Sequence, residues 1–251
     1  MILCAGPCGI TDKSQAFRIA EFVQRQGATH FRGGVYKGQN RPIVNGKPEY
    51  LGMGEEGLPI LAEIQDKLKF PCICDVQSIQ QAFTLARYNI RYLMVGARNM
   101  DNLCLLRDIR HLYYQYNPKG KIILKRGPSA TVDEWIGAAE HLGGEDRVVL
   151  CERGIVSFDR TPQTRWRLDF VGVAHIKAYT KYKVIVDPSH GSGDRKLVKD
   201  LCRAALLMAD GVMVEVHYDP DSSPTDAKQT IDFDTFSEIA RFYKEGAYGK
   251  R

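Results

Sequence analysis

Two groups of side chains in this 251-residue sequence could carry chemistry. The first is Cys8, His190, Glu215 and Asp226, a thiol, an imidazole and two carboxylates. As thiolate, neutral ring and carboxylates, these donors suit a divalent transition metal. Their spacing is dispersed, so they make one site only if the fold gathers them. Glu215 is the hardest to read as structural, because a carboxylate inside the apolar run GVMVEVH is costly to bury without a partner. His217, two residues on and on the same face, is a reserve ligand or a partner supporting the ligands. The second group is basic: Arg32, Lys37, Arg98, Lys125, Arg126 and Arg153. Guanidinium forks and ammonium point charges converging on one place imply a substrate with several negative charges. For any single one, an ordinary salt bridge to Asp75, Glu152 or Asp187 is the alternative, and for the whole set it is a poor one.

Both groups follow short apolar runs: residues 1–8, 29–34, 71–76, 91–98, 121–127, 147–154, 183–190 and 211–217. Continuous apolar runs suit parallel strands covered on both faces. The segments between them have helical spacing. SQAFRIAEFVQRQ is followed by Gly27 as a stop, and Thr131 with Glu134 makes a capping box. Eight strand–helix units predict a closed (β/α)8 TIM barrel, a single catalytic barrel over 1–251 with no regulatory domain. The alternative is a doubly wound open sheet, but no fingerprint glycine loop supports it. In a barrel of this kind the C-terminal ends of the strands form the site, and both groups lie there. One long turn-rich connection, Val35 to Gly54, is expected to be functional.

Composition agrees. Apolar residues are 44%, charged residues 26%, and the net charge is +5. No basic block with interleaved aromatics points to nucleic acid, and no 18-residue apolar stretch points to a membrane. Seven cysteines, mostly within apolar runs, suggest reduced thiols and a cytoplasmic protein. Cys72 and Cys74 read as core, and Trp135 and Trp166 as structural or peripheral.

In order along the chain, AGPC, FRGG with Lys37, GEEGL, GARNM, ILKRG, VVLCERG, VIVDPSH and VMVEVH with Thr225-Asp226 resemble 3-deoxy-D-arabino-heptulosonate 7-phosphate (DAHP) synthases of the type I beta kind. The wider superfamily includes 3-deoxy-D-manno-octulosonate 8-phosphate synthase. The resemblance implies a metal-dependent condensation of phosphoenolpyruvate with an aldehyde, releasing phosphate. It makes Cys8, His190, Glu215 and Asp226 the metal ligands, with Mn2+ the first choice and Fe2+, Co2+ or Zn2+ alternatives. Arg32, Lys37, Arg98, Lys125 and Arg153 would hold phosphoenolpyruvate. Lys37 would move the proton, with His190 and Asp75 as further candidates. Asp226 would also face the aldehyde. A dimer or tetramer is expected from the resemblance alone.

The sequence departs from the family at the aldehyde side. Lys37 is usually followed by Pro-Arg-Thr-Ser-Pro, where Arg-Thr grips the aldehyde's phosphate. Here Gly38-Gln39-Asn40-Arg41-Pro42 follows, so Gln39, Asn40 and Arg41 are the candidate aldehyde contacts. Neutral amides lose charge-assisted bonds to phosphate, which favours an acceptor other than erythrose 4-phosphate. Extra loop at Ile43–Tyr50 and Asp75 in place of Glu add to the remodelling. True DAHP synthesis, a metal-dependent hydrolase with too few histidines, and a non-catalytic metabolite-binding barrel are the other readings.

Overall fold

A computed structural model describes residues 1–38, 43–44, 47–48, 50–159, 161 and 164–247. Eight parallel strands close into a barrel: β1 (Ile2–Gly6), β2 (His30–Arg32), β5 (Cys72–Val76), β6 (Tyr92–Val95), β7 (Lys121–Lys125), β8 (Val148–Glu152), β9 (Lys183–Val186) and β10 (Gly211–Glu215). β1 pairs with β2 on one side and β10 on the other, which closes the ring and excludes the open sheet. Every apolar run predicted as a strand is a barrel strand. The long connection after β2 holds one addition, a short antiparallel hairpin of β3 (Ile43–Val44) and β4 (Lys47–Pro48). Asn45 and Gly46, between the two, lie outside the described residues.

Outer helices pack against the barrel: α1 (Lys13–Gln26), α2 (Leu58–Leu68), α3 (Ile79–Arg87), α4 (Leu103–Tyr116), α5 (Val132–His141), α6 (Phe170–Tyr179), α8 (Arg195–Leu206) and α9 (Phe233–Ala247). A five-residue helix, α7 (Pro188–Ser192), caps β9. Local chemistry sets their ends. Asp12 accepts from Gln15 N to start α1, and Gly27 at φ 105° ends it in a conformation that costs glycine little. Thr131 and Glu134 form the reciprocal cap of α5.

The side-chain alternation of the strands positions the site. Cys4, Ile73, Met94, Ile123, Val149, Cys151, Ile185 and Met213 fill the barrel interior as one cluster. Their strand neighbours, such as Leu3, Cys74, Leu124 and Val214, face the helices. Two positions past an interior residue the side chain again points inward. Thus Asp75 follows Ile73, Lys125 follows Ile123, Arg153 follows Cys151, Asp187 follows Ile185 and Glu215 follows Met213. These charges form the layer above the apolar plug.

Residues one position out of phase have another fate. Arg126 and Glu152 lie between barrel and helices, where Arg126 Nη1 meets Glu152 Oε2 at 3.4 Å and Asp169 Oδ2 at 2.7 Å. Arg126, counted above among the converging cations, is therefore structural. Asp169 also accepts from Gly172 N at 2.8 Å to cap α6. Replacing Asp169 by alanine removes a cap and a partner of a buried guanidinium, and should cost about 2 kcal/mol in denaturant unfolding. A loss under about 0.5 kcal/mol, the few tenths typical of a surface change, would contradict this role. Burial raises the Asp169 pKa, but the Gly172 N–H and Arg126 outweigh it and hold it below the ordinary value. Its stabilisation is therefore complete above the unfolded pKa of about 4 and is lost as pH falls through the lower folded value.

Candidate active site

Cys8, His190, Glu215 and Asp226 come together, with one donor atom from each lying within 4.8 Å of all the others. Cys8 follows β1, His190 sits on α7, Glu215 ends β10, and Asp226 lies in the loop beyond. β1 and β10 are hydrogen-bonded neighbours with Gly6 opposite Glu215, which is why residues so far apart in sequence meet. Cys8 Sγ lies 3.1 Å from Asp226 Oδ2, and His190 Nε2 lies 3.5 Å from Glu215 Oε1 and 3.9 Å from Asp226 Oδ2. Asp226 holds left-handed backbone at φ 55°, a conformation tolerated best by Asp, Asn and Gly.

The surrounding residues orient the four. Asp187 is fully buried and lies 2.9 Å from His190 Nδ1 and 2.8 Å from Lys125 Nζ, while its other oxygen accepts from His190 N at 3.0 Å. Asp187 thus lies on the Nδ1 side of the ring, and Nε2 faces the two carboxylates. Gln229 Nε2 donates to Glu215 Oε2 at 2.7 Å, and Arg32 Nη1 donates to Glu215 Oε1 at 2.6 Å. Lys37 Nζ reaches Cys8 Sγ at 2.7 Å.

The electrostatics favour a cation among these donors. Burial, then the Glu215 charge, pushes the Cys8 thiol up to about 12. It would lose its proton on binding a metal. Burial lowers the His190 pKa, leaving the ring neutral and able to ligate. Burial acts against the Asp226 carboxylate, but His190, Cys8 and Lys37 hold it down at about 2. The donor set therefore fits a divalent ion in its chemistry as well as its spacing.

Beside this group opens a cavity of about 590 Å3, lined by Arg32, Lys37, Asp75, Arg98, Lys125, Arg153 and Arg165 among others. Arg32 is buried and meets Asp75 Oδ2 at 3.7 Å as well as Glu215. Burial raises the Asp75 pKa, but Arg32 and Lys37 more than offset it and keep the carboxylate charged. Burial works against the charge of Lys37, yet Cys8 and Asp75 hold its pKa above the usual lysine value. Arg98 Nη1 donates to Gly38 O at 2.7 Å, bracing the loop after β2. Arg153 differs from the rest. It is 6% exposed, and it makes no hydrogen bond or ion pair among the described residues. It lies over the Trp166 ring, 5.7 Å from ring centre to guanidinium carbon.

The structure thus gathers Cys8, Arg32, Lys37, Asp75, Arg98, Lys125, Arg153, His190, Glu215 and Asp226 as the sequence reading expected. Gln39, Asn40 and Arg41 lie outside the described residues. His217 is not in the ligand group, because its ring nitrogens engage Gln15 Nε2 at 3.2 Å and Asp219 O at 2.7 Å. Trp166, read as peripheral, lines the cavity. Asp187 had an inward-pointing position in its favour, whereas nothing in the sequence marked Arg165 or Gln229.

A closed barrel with four candidate metal donors beside a cation-lined cavity at its C-terminal mouth has the layout of a (β/α)8 enzyme suited to a small anionic substrate. Residues 1–248 match the model of the family described as the DAHP synthetase I family. The chain belongs to that family. It is 34% identical over 246 residues to the phospho-2-dehydro-3-deoxyheptonate aldolase of Thermotoga maritima, covering 97% of this chain and 69% of that protein. It is 29% identical over 247 residues to the 2-dehydro-3-deoxyphosphooctonate aldolase of Magnetococcus marinus, covering 92% and 82% respectively. The crystal structure of the DAHP synthase from Thermotoga maritima superposes with a TM-score of 0.87 at 33% identity, covering 98% of this chain and 68% of that one.

Proposed function

We propose that the chain condenses phosphoenolpyruvate with an aldehyde to give a 3-deoxy-2-keto acid and phosphate, with a divalent metal as cofactor. The observation that carries this is the juxtaposition at one mouth of four candidate metal donors within 4.8 Å and a buried Arg153, without an ion pair among the described residues, in a cavity lined by further cations. Family membership supports the same reading.

Cys8, His190, Glu215 and Asp226 would hold the ion, Mn2+ in the first instance with Fe2+, Co2+ or Zn2+ as alternatives. When bound, it supplies Lewis acidity toward the aldehyde carbonyl. Arg32, Lys37, Arg98, Lys125 and Arg153 would grip the phosphate and carboxylate of phosphoenolpyruvate, with much of the rate coming from that positioning. The C3 of phosphoenolpyruvate bonds to the aldehyde carbon, water adds at C2, and the C2–O bond to phosphate breaks. Lys37 is the proton carrier for the new hydroxyl: it is charged, and its Nζ lies at the boundary between the donor group and the cavity. Asp75 and His190, which line the same cavity, are the further candidates for proton transfer. The cation layer steadies the phosphate oxygens as charge moves onto them.

Erythrose 4-phosphate, which would make the chain a DAHP synthase proper, is the acceptor that the likeness to the Thermotoga maritima proteins favours. Gln39-Asn40 in place of Arg-Thr favours another aldehyde. Phosphate release from phosphoenolpyruvate, measured with Mn2+ against phosphorylated and unphosphorylated aldehydes, decides between them. Release should require both metal and aldehyde. Release that ignores the aldehyde would contradict the condensation. A cytoplasmic dimer or tetramer belongs to the same proposal, and light scattering in solution tests the subunit count.

A further inference from the structure

Among the described residues the connection from β8 to α6 contributes Arg153, Arg165 and Trp166 to the cavity, and the condensation as derived has no use for the last two. It is a built element. Ile155 and Arg167 form an antiparallel bridge, with Ile155 N to Arg167 O at 2.8 Å and Arg167 N to Ile155 O at 3.1 Å. Arg167 also pairs with Asp159 across the turn. The returning strand lies on α7, the helix that carries His190. Arg165 N donates to Ser192 O at 2.8 Å, and Trp166 N donates to Gly191 O at 3.0 Å.

Glycines make this close approach feasible. A Cβ at Gly154 would meet Trp166 Cβ at 2.4 Å, and one at Gly193 would meet Arg165 Cβ at 2.8 Å; both glycines have positive φ, 94° and 71°. The strap is thus pinned at both ends of the segment that presents Arg165 and Trp166.

The position of Arg165 says what it faces. Its nearest carboxylate is Asp226 Oδ1 at 3.9 Å, so it borders the metal donors. On the other side is Arg153, whose pKa is lowered by burial first and by the Arg165 charge second. The Arg153 and Arg165 charges act on each other beside Trp166, and among the described residues Arg165 has an ion pair, with Asp226 of the donor group, while Arg153 has none. With phosphoenolpyruvate on the inner cations, the exposed Arg165 would remain toward the outer mouth. An aldehyde with its carbonyl among the metal donors would extend past this side chain.

We propose that Arg165 binds an anionic group, phosphate or carboxylate, at the far end of the acceptor aldehyde, with Trp166 as the wall that fixes it. The proposal rests on the condensation reading. It supplies from the β8–α6 strap a charge that the stretch after Lys37 lacks at Gln39 and Asn40. It also narrows the acceptor class to anionic aldehydes.

The test is a specificity ratio. For wild type, Arg165→Ala and Arg165→Lys, kcat/KM is measured with erythrose 4-phosphate, glyoxylate and uncharged D-erythrose. Arg165→Ala should lower the preference for a charged aldehyde over D-erythrose by tenfold or more, and Arg165→Lys should restore part of it. The two charged aldehydes tell phosphate from carboxylate. Phosphoenolpyruvate binding, by equilibrium dialysis, should stay within about twofold of wild type. An unchanged ratio, or a parallel loss of phosphoenolpyruvate binding, would overturn the proposal. Should wild type release no phosphate with any aldehyde, the condensation reading fails by itself. Protein saturated with phosphoenolpyruvate is then titrated with inorganic phosphate by calorimetry. Binding lost in Arg165→Ala supports the anion site, and binding equal in both overturns it.

Discussion

Replacing Arg153 by methionine should make the unliganded protein more stable while stripping it of phosphoenolpyruvate binding. Arg153 is a buried cation with no ion pair among the described residues, so its desolvation is only partly offset, by the Asp187 and Glu152 charges beyond ion-pair distance, until an anion arrives. Removing the charge and keeping the volume should raise unfolding free energy by about 1–2 kcal/mol, less the modest contact with Trp166. Binding should weaken by about 2–4 kcal/mol, roughly 30- to 1000-fold, as a charge-assisted contact in a dry site is lost. Lys125→Met is the control of opposite sign for stability. Lys125 pairs at 2.8 Å with fully buried Asp187, and its loss leaves that carboxylate short of a partner at a cost of about 3 kcal/mol. Denaturant midpoints and calorimetric titrations of both variants separate the effects. Destabilisation by Arg153→Met would show that this side chain is structural.

The second large effect is expected at Cys8. Cys8→Ala removes one of four donors and the group contacted by Lys37 Nζ at 2.7 Å. Bound metal, measured by elemental analysis after dialysis, should fall well below one per chain. Phosphate release should drop on the order of 1000-fold, corresponding to about 4 kcal/mol of lost electrostatic stabilisation. Because the Cys8 thiol sits at about 12 without an ion, metal binding must release its proton, and affinity should rise with pH until the metal hydrolyses. Full activity of Cys8→Ala in the presence of chelator would contradict the ligand assignment.

Most of this site was legible because barrel strands obey a simple period. Apolar runs that end in a charge, such as ICD, IILK and VMVE, put that charge inward above an interior residue. Arg126 was miscounted for the same reason. It adjoins Lys125 in sequence but lies one position out of phase, and a one-residue step turns a side chain from the mouth to the helix layer. His217 shares phase with Glu215, yet the chain has left the regular strand by then, bridging through Val216 to Ile231. Arg165 and Trp166 had no periodic context at all, since they sit on a loop whose fold depends on hydrogen bonds to α7. Loop residues of that kind acquire a place only through tertiary contacts.

The condensation is tested most directly by phosphoenolpyruvate carrying 18O in the bridging C–O–P position, incubated with enzyme, Mn2+ and the aldehyde that supports phosphate release. Mass spectrometry of both products should find the label in inorganic phosphate. It should also find an organic product whose mass equals phosphoenolpyruvate plus aldehyde plus water, less phosphoric acid. Label retained in pyruvate, with no carbon–carbon bond to the aldehyde, would mean simple phosphate hydrolysis and would contradict the proposed chemistry.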